Sequence, residues 1–324
     1  MTRYDVFNGD ADGLCALQQL RLEEPLQATP VTGAKRDIRL LERVDAMAGD
    51  RLTVLDVSMH ANRDALARVL AAGARVRWFD HHHPGEVPAH PALEAHIDTD
   101  PAMCTALIVN RHLAGRHARW AAVGAFGDNL RAPARALCGA LGLPDDQVAT
   151  LQALGEALNY NAYGDDAHDL LVHPAQLSAM IRPFADPLDF AAASPFLERL
   201  SRVQREDLAR AVAQPPAAEW PGLALYRFGD EPWARRVRGA LGNHLARTEP
   251  QRVHAIVTQR ADGGATLSLR VPAGAALPAD AFCRRWPSGN GRAIAAGVDR
   301  LAATELEALV SDLVATYTRP SVGA

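Results

Sequence analysis

Short apolar runs alternate with polar, turn-forming segments over the first hundred residues of the chain. Residues 4–7, 52–55 and 74–79 are rich in β-branched and aromatic side chains, which predicts strands. Residues 37–48 and 62–72 instead carry apolar side chains at helical spacing. Strands separated by single helices are typical of a parallel sheet with right-handed crossovers. The pattern therefore predicts an α/β fold with a parallel sheet and helices on both of its faces.

Three prolines, at positions 183, 187 and 195, divide the chain. After them, apolar side chains recur at helical spacing over residues 196–212, and strand-like runs follow from residue 223 onwards. We therefore predict three parts: an N-terminal metal-binding domain over residues 1–185, a linker with a helix over 186–217, and a smaller α/β substrate-binding domain over 218–324.

Composition limits the class of protein further. The 324 residues are 48% hydrophobic and 22% charged, which is typical of folded globular proteins with room for two domains. The four cysteines are scattered without CxxC pairs, which argues against a disulfide framework or structural zinc and favours a cytoplasmic protein. No signal peptide or membrane-length apolar run is apparent, so we expect no membrane partner. Because the net charge is −4, any polyanion must be held by local basic groups or metal.

Acidic and imidazole side chains follow three of the predicted strands. Asp10 and Asp12 come after the first, Asp56 after the second, and Asp80 opens a run of three histidines after the third. The carboxyl ends of parallel strands meet at one edge of a sheet, and clustered carboxylates repel one another unless a cation lies among them. Taken singly, an acid here also suits a helix N-cap, and a histidine cluster suits a solvated turn.

Four ordered motifs resemble those of the DHH phosphoesterase superfamily: Asp10-x-Asp12-Gly13, Asp56, Asp80-His81-His82 and Gly127-Asp128. That superfamily includes single-strand exonucleases, oligoribonucleases, cyclic-dinucleotide phosphodiesterases and exopolyphosphatases. Near the C-terminus, residues 268–270 and 288–297 resemble the substrate-binding domain that often follows a DHH domain.

The resemblance implies a two-metal centre. Its predicted ligands are Asp10, Asp12, Asp56, His81 and Asp128, with Asn8 at a place where the family usually has His or Asp. An oxygen-rich set of this kind suits two Mn²⁺ ions, or Mg²⁺, better than Zn²⁺. The resemblance further implies that Asp56 bridges the ions, that His82 touches the phosphoryl oxygens, and that Asp80 orients an imidazole. His83 has no derivable role.

Other residues are candidates for holding substrate. Arg270, Gly289, Asn290, Gly291 and Arg292 could bind a phosphate or base in the second domain, although the family's loop usually reads Gly-Gly-Gly-His and a plain turn is the alternative. Residues 29–36 are predicted to form a strand that runs into a basic turn at Lys35 and Arg36, and a solvated pair is the favoured interpretation of these two residues.

The sequence thus predicts a Mn²⁺-dependent phosphodiester hydrolase that uses a two-metal-activated water. Its expected substrates are short single-stranded oligonucleotides or small nucleotides. The alternatives are an exopolyphosphatase, whose substrate has no bases, and a decayed nucleotide-binding module. The oligomeric state stays open, with a homodimer as one option.

Overall fold

The early apolar runs form a five-stranded parallel sheet in the computed structural model of the chain, which describes residues 1–318. The spatial order is β2-β1-β3-β4-β5, and every neighbouring pair is parallel. The strands are β1 (Arg3–Phe7), β2 (Thr29–Val31), β3 (Arg51–Leu55), β4 (Arg75–Asp80) and β5 (Leu93–Ile97). The register aligns Phe7 with Leu55 and Leu55 with Phe79, so β1, β3 and β4 end side by side.

Both faces of this sheet are buried. Phe7, Leu55 and Phe79 belong to a core on one face, whereas the alternate residues of the same strands belong to a separate core on the other. Strands buried on both faces are expected to be apolar, as the central strands are at Val6-Phe7, Val54-Leu55 and Trp78-Phe79. The predicted parallel sheet with helices on both faces is therefore confirmed.

Nine helices lie before residue 213. They are α1 (Ala11–Glu23), α2 (Arg63–Ala71), α3 (Thr105–His112), α4 (Ala118–Gly127), α5 (Arg131–Ala140), α6 (Asp145–Asn161), α7 (Pro174–Ile181), α8 (Pro187–Ala193) and α9 (Pro195–Val212). Short 3-10 helices cover Leu40–Arg43, His60–Asn62 and Ala167–Asp169.

The helix predicted over residues 37–48 is wrong, because only Leu40–Arg43 is helical there, as a single 3-10 turn. The apolar side chains at Leu40, Leu41 and Val44 are buried as expected. However, the buried Asn62 side chain donates to the carbonyl of Ile38 and accepts from the backbone N–H of Leu41. These side-chain bonds satisfy backbone groups that a regular helix would pair internally.

The second sheet has six strands in the order β10-β11-β9-β8-β7-β6, and only β7 and β8 run parallel. These strands are β6 (Ala218–Trp220), β7 (Leu223–Phe228), β8 (Val253–Gln259), β9 (Ala265–Arg270), β10 (Gly289–Arg292) and β11 (Ala295–Leu301). The helices that accompany them are α10 (Pro232–Thr248), α11 (Ala279–Cys283) and α12 (Leu306–Tyr317), with a 3-10 turn at Ala303–Glu305. One core forms with α10 and another with α11 and α12.

The chain divides into two units, Met1–Val203 and Gln204–Ala324, and the division falls within α9. That point lies inside the segment predicted as a linker. All four cysteines are buried and free of disulfides. Among residues 1–318, no helix has both the length and the apolar character needed to cross a membrane.

Two glycines bring α4 and α6 close together and so fix the position of Asp128, which follows α4. A Cβ atom on Gly155 would lie 2.3 Å from the carbonyl oxygen of Val123 and 2.9 Å from the backbone nitrogen of Gly127. A Cβ atom on Gly127 would lie 2.3 Å from Cβ of Ala11, in the first turn of α1. Because backbone atoms cannot move aside cheaply, these positions require glycine.

We expect Gly155→Ala to lower the free energy of unfolding by roughly 1–3 kcal/mol, because the added methyl group overlaps the backbone of α4. Gly139 is the matched control, since it lies exposed in α5 and a Cβ atom there meets nothing within 4 Å. Gly139→Ala should raise stability by about 0.5–1 kcal/mol. Urea unfolding of both variants measures the difference, and equal stability of Gly155→Ala and the parent would contradict the close packing.

Candidate metal centre

Five carboxylates and two imidazoles meet at the carboxyl edge of the parallel sheet. Asp10 and Asp12 follow β1, Asp56 follows β3, Asp80 ends β4 with His81 and His82 directly after it, and Asp128 caps the C-terminus of α4. Asp10, Asp12, Asp56 and Asp80 are buried, and the side chain of Asp128 is 16% exposed. Strand order and the motif resemblance together predict that these side chains lie close to one another, and the structure places them so.

The two acids of the first motif are tied down by backbone N–H groups. Asp10 Oδ1 accepts from the N–H groups of Asp12 and Gly13 at 3.0 and 3.1 Å, so this carboxylate is the N-cap of α1. Both oxygens of Asp12 accept from the start of α3, at 2.8 Å from Thr105 N and 2.7 Å from Ala106 N. The N-cap role and the place in the acidic cluster are alternatives in the sequence analysis, and in the structure Asp10 has both.

Asp56 occupies an uncommon backbone conformation, with φ of 57°. Asp and Asn are the residues other than glycine that tolerate this region best. Its Oδ1 atom accepts from the hydroxyl of Thr105 at 3.3 Å and lies 3.4 Å from His81 Nε2 and 3.9 Å from His82 Nδ1. Asp56 is thus the carboxylate that both imidazoles approach.

The tautomer of His81 is set by a backbone carbonyl. Its Nδ1 lies 3.1 Å from the oxygen of Met103, and a carbonyl can only accept, so Nδ1 carries the proton. In the neutral ring, Nε2 then presents a lone pair to carboxylate oxygens of Asp56 at 3.4 Å and of Asp12 and Asp128 at 4.0 Å each. That lone pair and the three carboxylates repel one another unless positive charge, either a proton on Nε2 or a metal ion, lies between them.

Asp80 and His82 form a second pair. Asp80 is fully buried, and its Oδ1 atom lies 2.7 Å from His82 Nδ1 and accepts from the backbone N–H of His81 at 2.9 Å. The other oxygen, Oδ2, is buried without a hydrogen-bond partner among residues 1–318. Burial alone would lower the pKa of His82, but the hydrogen bond and charge of Asp80 outweigh it and raise this pKa. The Nδ1 atom of His82, whose side chain is 46% exposed, therefore donates its proton to Asp80.

The charges of the cluster are strongly coupled. Burial raises the pKa of Asp56 well above its usual value, and the neighbouring carboxylates Asp10 and Asp12 raise it further. Burial also raises the pKa of Asp12, against the opposing effect of His81. Asp10 differs, because Lys35 overcomes the effect of burial and lowers its pKa. Ionising three or more of these carboxylates together would therefore destabilise the folded protein unless positive charge is added among them.

The donor set suits a divalent cation. One donor atom each from Asp56, His81 and His82 lie within 4.8 Å of one another, and Asp12 and Asp128 present further oxygens to the same imidazole. Carboxylate oxygen with imidazole nitrogen is a ligand chemistry that Mn²⁺ and Mg²⁺ accept. Asn8 contributes differently, since its Oδ1 accepts from Asp10 N at 3.2 Å and its Nδ2 donates to the carbonyl of Lys35 at 3.1 Å.

Lys35 is the site residue that the sequence interpretation missed. Its ammonium lies 2.5 Å from Asp10 Oδ2, 3.3 Å from Asn159 Oδ1 and 3.5 Å from Asp128 Oδ1. The expectation of a solvated pair is wrong for Lys35, whereas Arg36 pairs with Asp165 at 2.8 Å, away from these acids. One signal was available, because Lys35 is the only lysine among the 34 lysine and arginine residues of the chain.

The predicted substrate residues of the second unit lie on a hairpin and not on a loop. Gly289–Arg292 is β10, which pairs with β11. Ala295 stands directly opposite Arg292 on one side and Arg270 on the other, which puts both arginines on one face of the sheet, roughly 10 Å apart. Arg292 is exposed, and Arg270 lies over Gly242 and donates to Asn243 Oδ1 at 3.1 Å.

No protein-family model and no curated protein matches the sequence, but solved structures match the fold. A structure of the exonuclease RecJ bound to manganese has a TM-score of 0.61 at 17% identity, covering 97% of this chain and 89% of that one. The pGpG-specific phosphodiesterase PggH from Vibrio cholerae has a TM-score of 0.55 at 15% identity, covering 97% and 98%. An exopolyphosphatase-related protein from Bacteroides fragilis has a TM-score of 0.50 at 11% identity, covering 96% and 92%.

The chain therefore shares its fold with the exonuclease, the phosphodiesterase and the exopolyphosphatase-related protein. At these identities the comparisons establish the architecture, and the residues of this chain must carry any conclusion about its chemistry. The arrangement that the motifs predicted at the sheet edge is consistent with that architecture.

The raised pKa of Asp56 makes the stability of the metal-free protein depend on pH. Because its folded pKa exceeds the unfolded value near 3.8, its stabilising contribution is complete below that pH. This contribution is lost as the pH rises through the folded pKa. In chelator at pH 8, Asp56→Asn should therefore be more stable than the parent by at least about 1 kcal/mol, and the difference should disappear near pH 4.

Thermal unfolding at both pH values in chelator measures this difference. Asn accepts the left-handed backbone at this position, so the substitution tests charge and not conformation. Asp64→Asn, on the exposed surface of α2, is the control and should change nothing. A destabilised Asp56→Asn at pH 8 would show that the cluster tolerates its charge without metal.

Proposed function

We propose that the chain is a metal-dependent phosphoesterase that hydrolyses phosphodiesters in short single-stranded oligonucleotides or small nucleotides. The observation that carries the proposal is the Nε2 atom of His81 facing oxygens of Asp12, Asp56 and Asp128. Mn²⁺ is the proposed ion and Mg²⁺ an alternative, in keeping with the manganese bound in the RecJ structure of the same fold. The nucleotide substrate is supported by the pGpG-specific phosphodiesterase among the fold's relatives.

Each residue then has a distinct task. Asp12, Asp56, His81 and Asp128 hold the ion, which when bound supplies a Lewis acid for the phosphoryl group and makes water more acidic. Asp80 fixes the orientation of His82 and raises its pKa, which favours the protonated ring that can donate to a phosphoryl oxygen. Because His82 is half-exposed while the acids are buried, the imidazole lies on the side from which substrate arrives.

The second unit supplies binding groups. Arg270 and Arg292 share a face of the six-stranded sheet, where guanidinium groups can bind phosphate bidentately or stack on a base. Asn290 adds an amide on the same strand as Arg292. Gly289 and Gly291 are required by close packing, because a Cβ atom on either would lie less than 2.5 Å from Cys283 or Ala296. The sequence differs here from the Gly-Gly-Gly-His loop that is usual in the family, but it retains two cationic side chains, Arg270 and Arg292.

An exopolyphosphatase is the second candidate, since an exopolyphosphatase-related protein shares the fold. A substrate without bases needs cationic groups only, so a screen separates the two candidates directly. The cytoplasmic location and the homodimer stay predictions.

Turnover should require the metal and Asp56. Dinucleotides, longer oligonucleotides, cyclic dinucleotides and polyphosphate are offered in Mn²⁺, in Mg²⁺ and in chelator. We expect hydrolysis of a nucleotide substrate with Mn²⁺ and none in chelator. Asp56→Ala should lower kcat/KM by roughly 1000-fold or more, or about 4 kcal/mol, whereas Asp64→Ala should leave it unchanged. Full turnover in chelator would refute the proposal, and binding without turnover would favour the decayed module.

Arg292 should contribute binding energy remote from the reaction. A charge-assisted contact contributes about 1.5–3 kcal/mol, which is roughly 10- to 100-fold in kcat/KM. Arg292→Ala should cause that loss on an oligonucleotide yet leave a small activated phosphodiester nearly unaffected. Arg300→Ala, an exposed arginine at the opposite end of the same hairpin, is the control. Equal losses on both substrates would assign Arg292 to the reaction centre or to the fold, and no loss would leave it a surface residue.

A further inference from the structure

The ammonium of Lys35 is fixed in place by the fold. The backbone N–H of Lys35 donates to the carbonyl of Ala162 at 3.0 Å, and its own carbonyl accepts from the Asn8 side chain at 3.1 Å. An ammonium group has three donors, and here three oxygens surround it, from Asp10, Asp128 and Asn159. The Asn159 amide is itself oriented by Tyr163, to which it donates at 2.8 Å. A solvated surface lysine has no such set of partners.

The same contacts occupy the ligands that a second metal ion would need. Asp10 Oδ1 accepts from two backbone N–H groups, and Oδ2 binds Lys35. Asn8 stands where the family has a charged or imidazole ligand, and its oxygen accepts from Asp10 N. A divalent ion bound by Asp10 would lie close to this ammonium, and the two positive charges would repel each other. Lys35 and an ion bound by Asp10 are therefore mutually unfavourable.

The choice of lysine at this position is informative. Every other basic residue among the 34 lysine and arginine residues is arginine. An ammonium is a compact point charge with three rotatable donors, whereas a guanidinium is a planar fork. Among carboxylate oxygens, the ammonium is the side-chain group that comes nearest in shape to a small cation.

We propose that Lys35 takes the place of one of the two ions, so that the centre holds a single divalent ion between Asp12, Asp56, His81 and Asp128. The positive charge of Lys35 balances the carboxylate of Asp10. Asp128 contacts both Lys35 and the proposed ion. This inference rests on the metal dependence proposed above and differs from the pair of ions that the family resemblance implies. Asn8 supports the Lys35 backbone and is not a ligand.

The number of Mn²⁺ ions bound per chain tests this inference without any assay of turnover. The full-length protein is titrated by calorimetry, and bound metal is counted after dialysis. We expect one ion in the parent protein and two in Lys35→Met, because the neutral side chain releases Asp10 and Asp128. Electron paramagnetic resonance should show an isolated Mn²⁺ in the parent and an exchange-coupled pair in the variant. Arg36→Met is the matched control and should bind one ion.

Each outcome is decisive. Two ions in the parent protein would overturn the inference while leaving the proposed phosphoesterase intact. One ion in a folded Lys35→Met would also overturn it, because Lys35 would then not be what excludes the second. No bound ion in the parent would refute both this inference and the metal-dependent function. If Lys35→Met fails to fold, Lys35→Gln replaces it, and the count in the parent protein still decides.

Discussion

Mutual repulsion among five carboxylates at one sheet edge is the constraint on which the site depends. Four of them are buried, so water cannot screen their charges, and burial raises the pKa of Asp12 and Asp56. The fold answers with positive groups of different kinds. The N-terminus of α3 donates two N–H groups to Asp12, and Lys35 binds Asp10. The negative charge that these groups do not balance lies around His81, and an exchangeable cation fits there.

Much of this arrangement could be predicted from the sequence, because it follows from strand order. Parallel strands of equal register end together, so acids after β1, β3 and β4 had to meet whatever the details of the helices. Strand order therefore brings Asp10, Asp12, Asp56 and His81 together, whereas Asp128 follows α4 and reaches the same edge through the packing of that helix. The division into two units lies within α9, after the three prolines, and the domain bounds given from the sequence stay a prediction.

Other features depend on contacts that local sequence patterns do not contain. The segment after β2 has helical apolar spacing, yet Asn62, from a distant turn, takes up its backbone groups. No strand is predicted from the sequence over residues 93–97, and β5 forms there through its pairing with β4. The site position of Lys35 is not predicted either, because two of its three partners, Asp128 and Asn159, are 93 and 124 residues away in the chain.

The central claim is that a divalent cation belongs between the His81 imidazole and the surrounding carboxylates. Crystals grown with Mn²⁺ and measured at the manganese absorption edge test it most directly, since anomalous scattering locates the ion independently of turnover. The account predicts a peak in contact with His81 Nε2 and a carboxylate oxygen of Asp56, and none between Asp10 and Asp128, where Lys35 lies. Manganese found only elsewhere on the protein, with the His81 cluster empty at saturating metal, would contradict it.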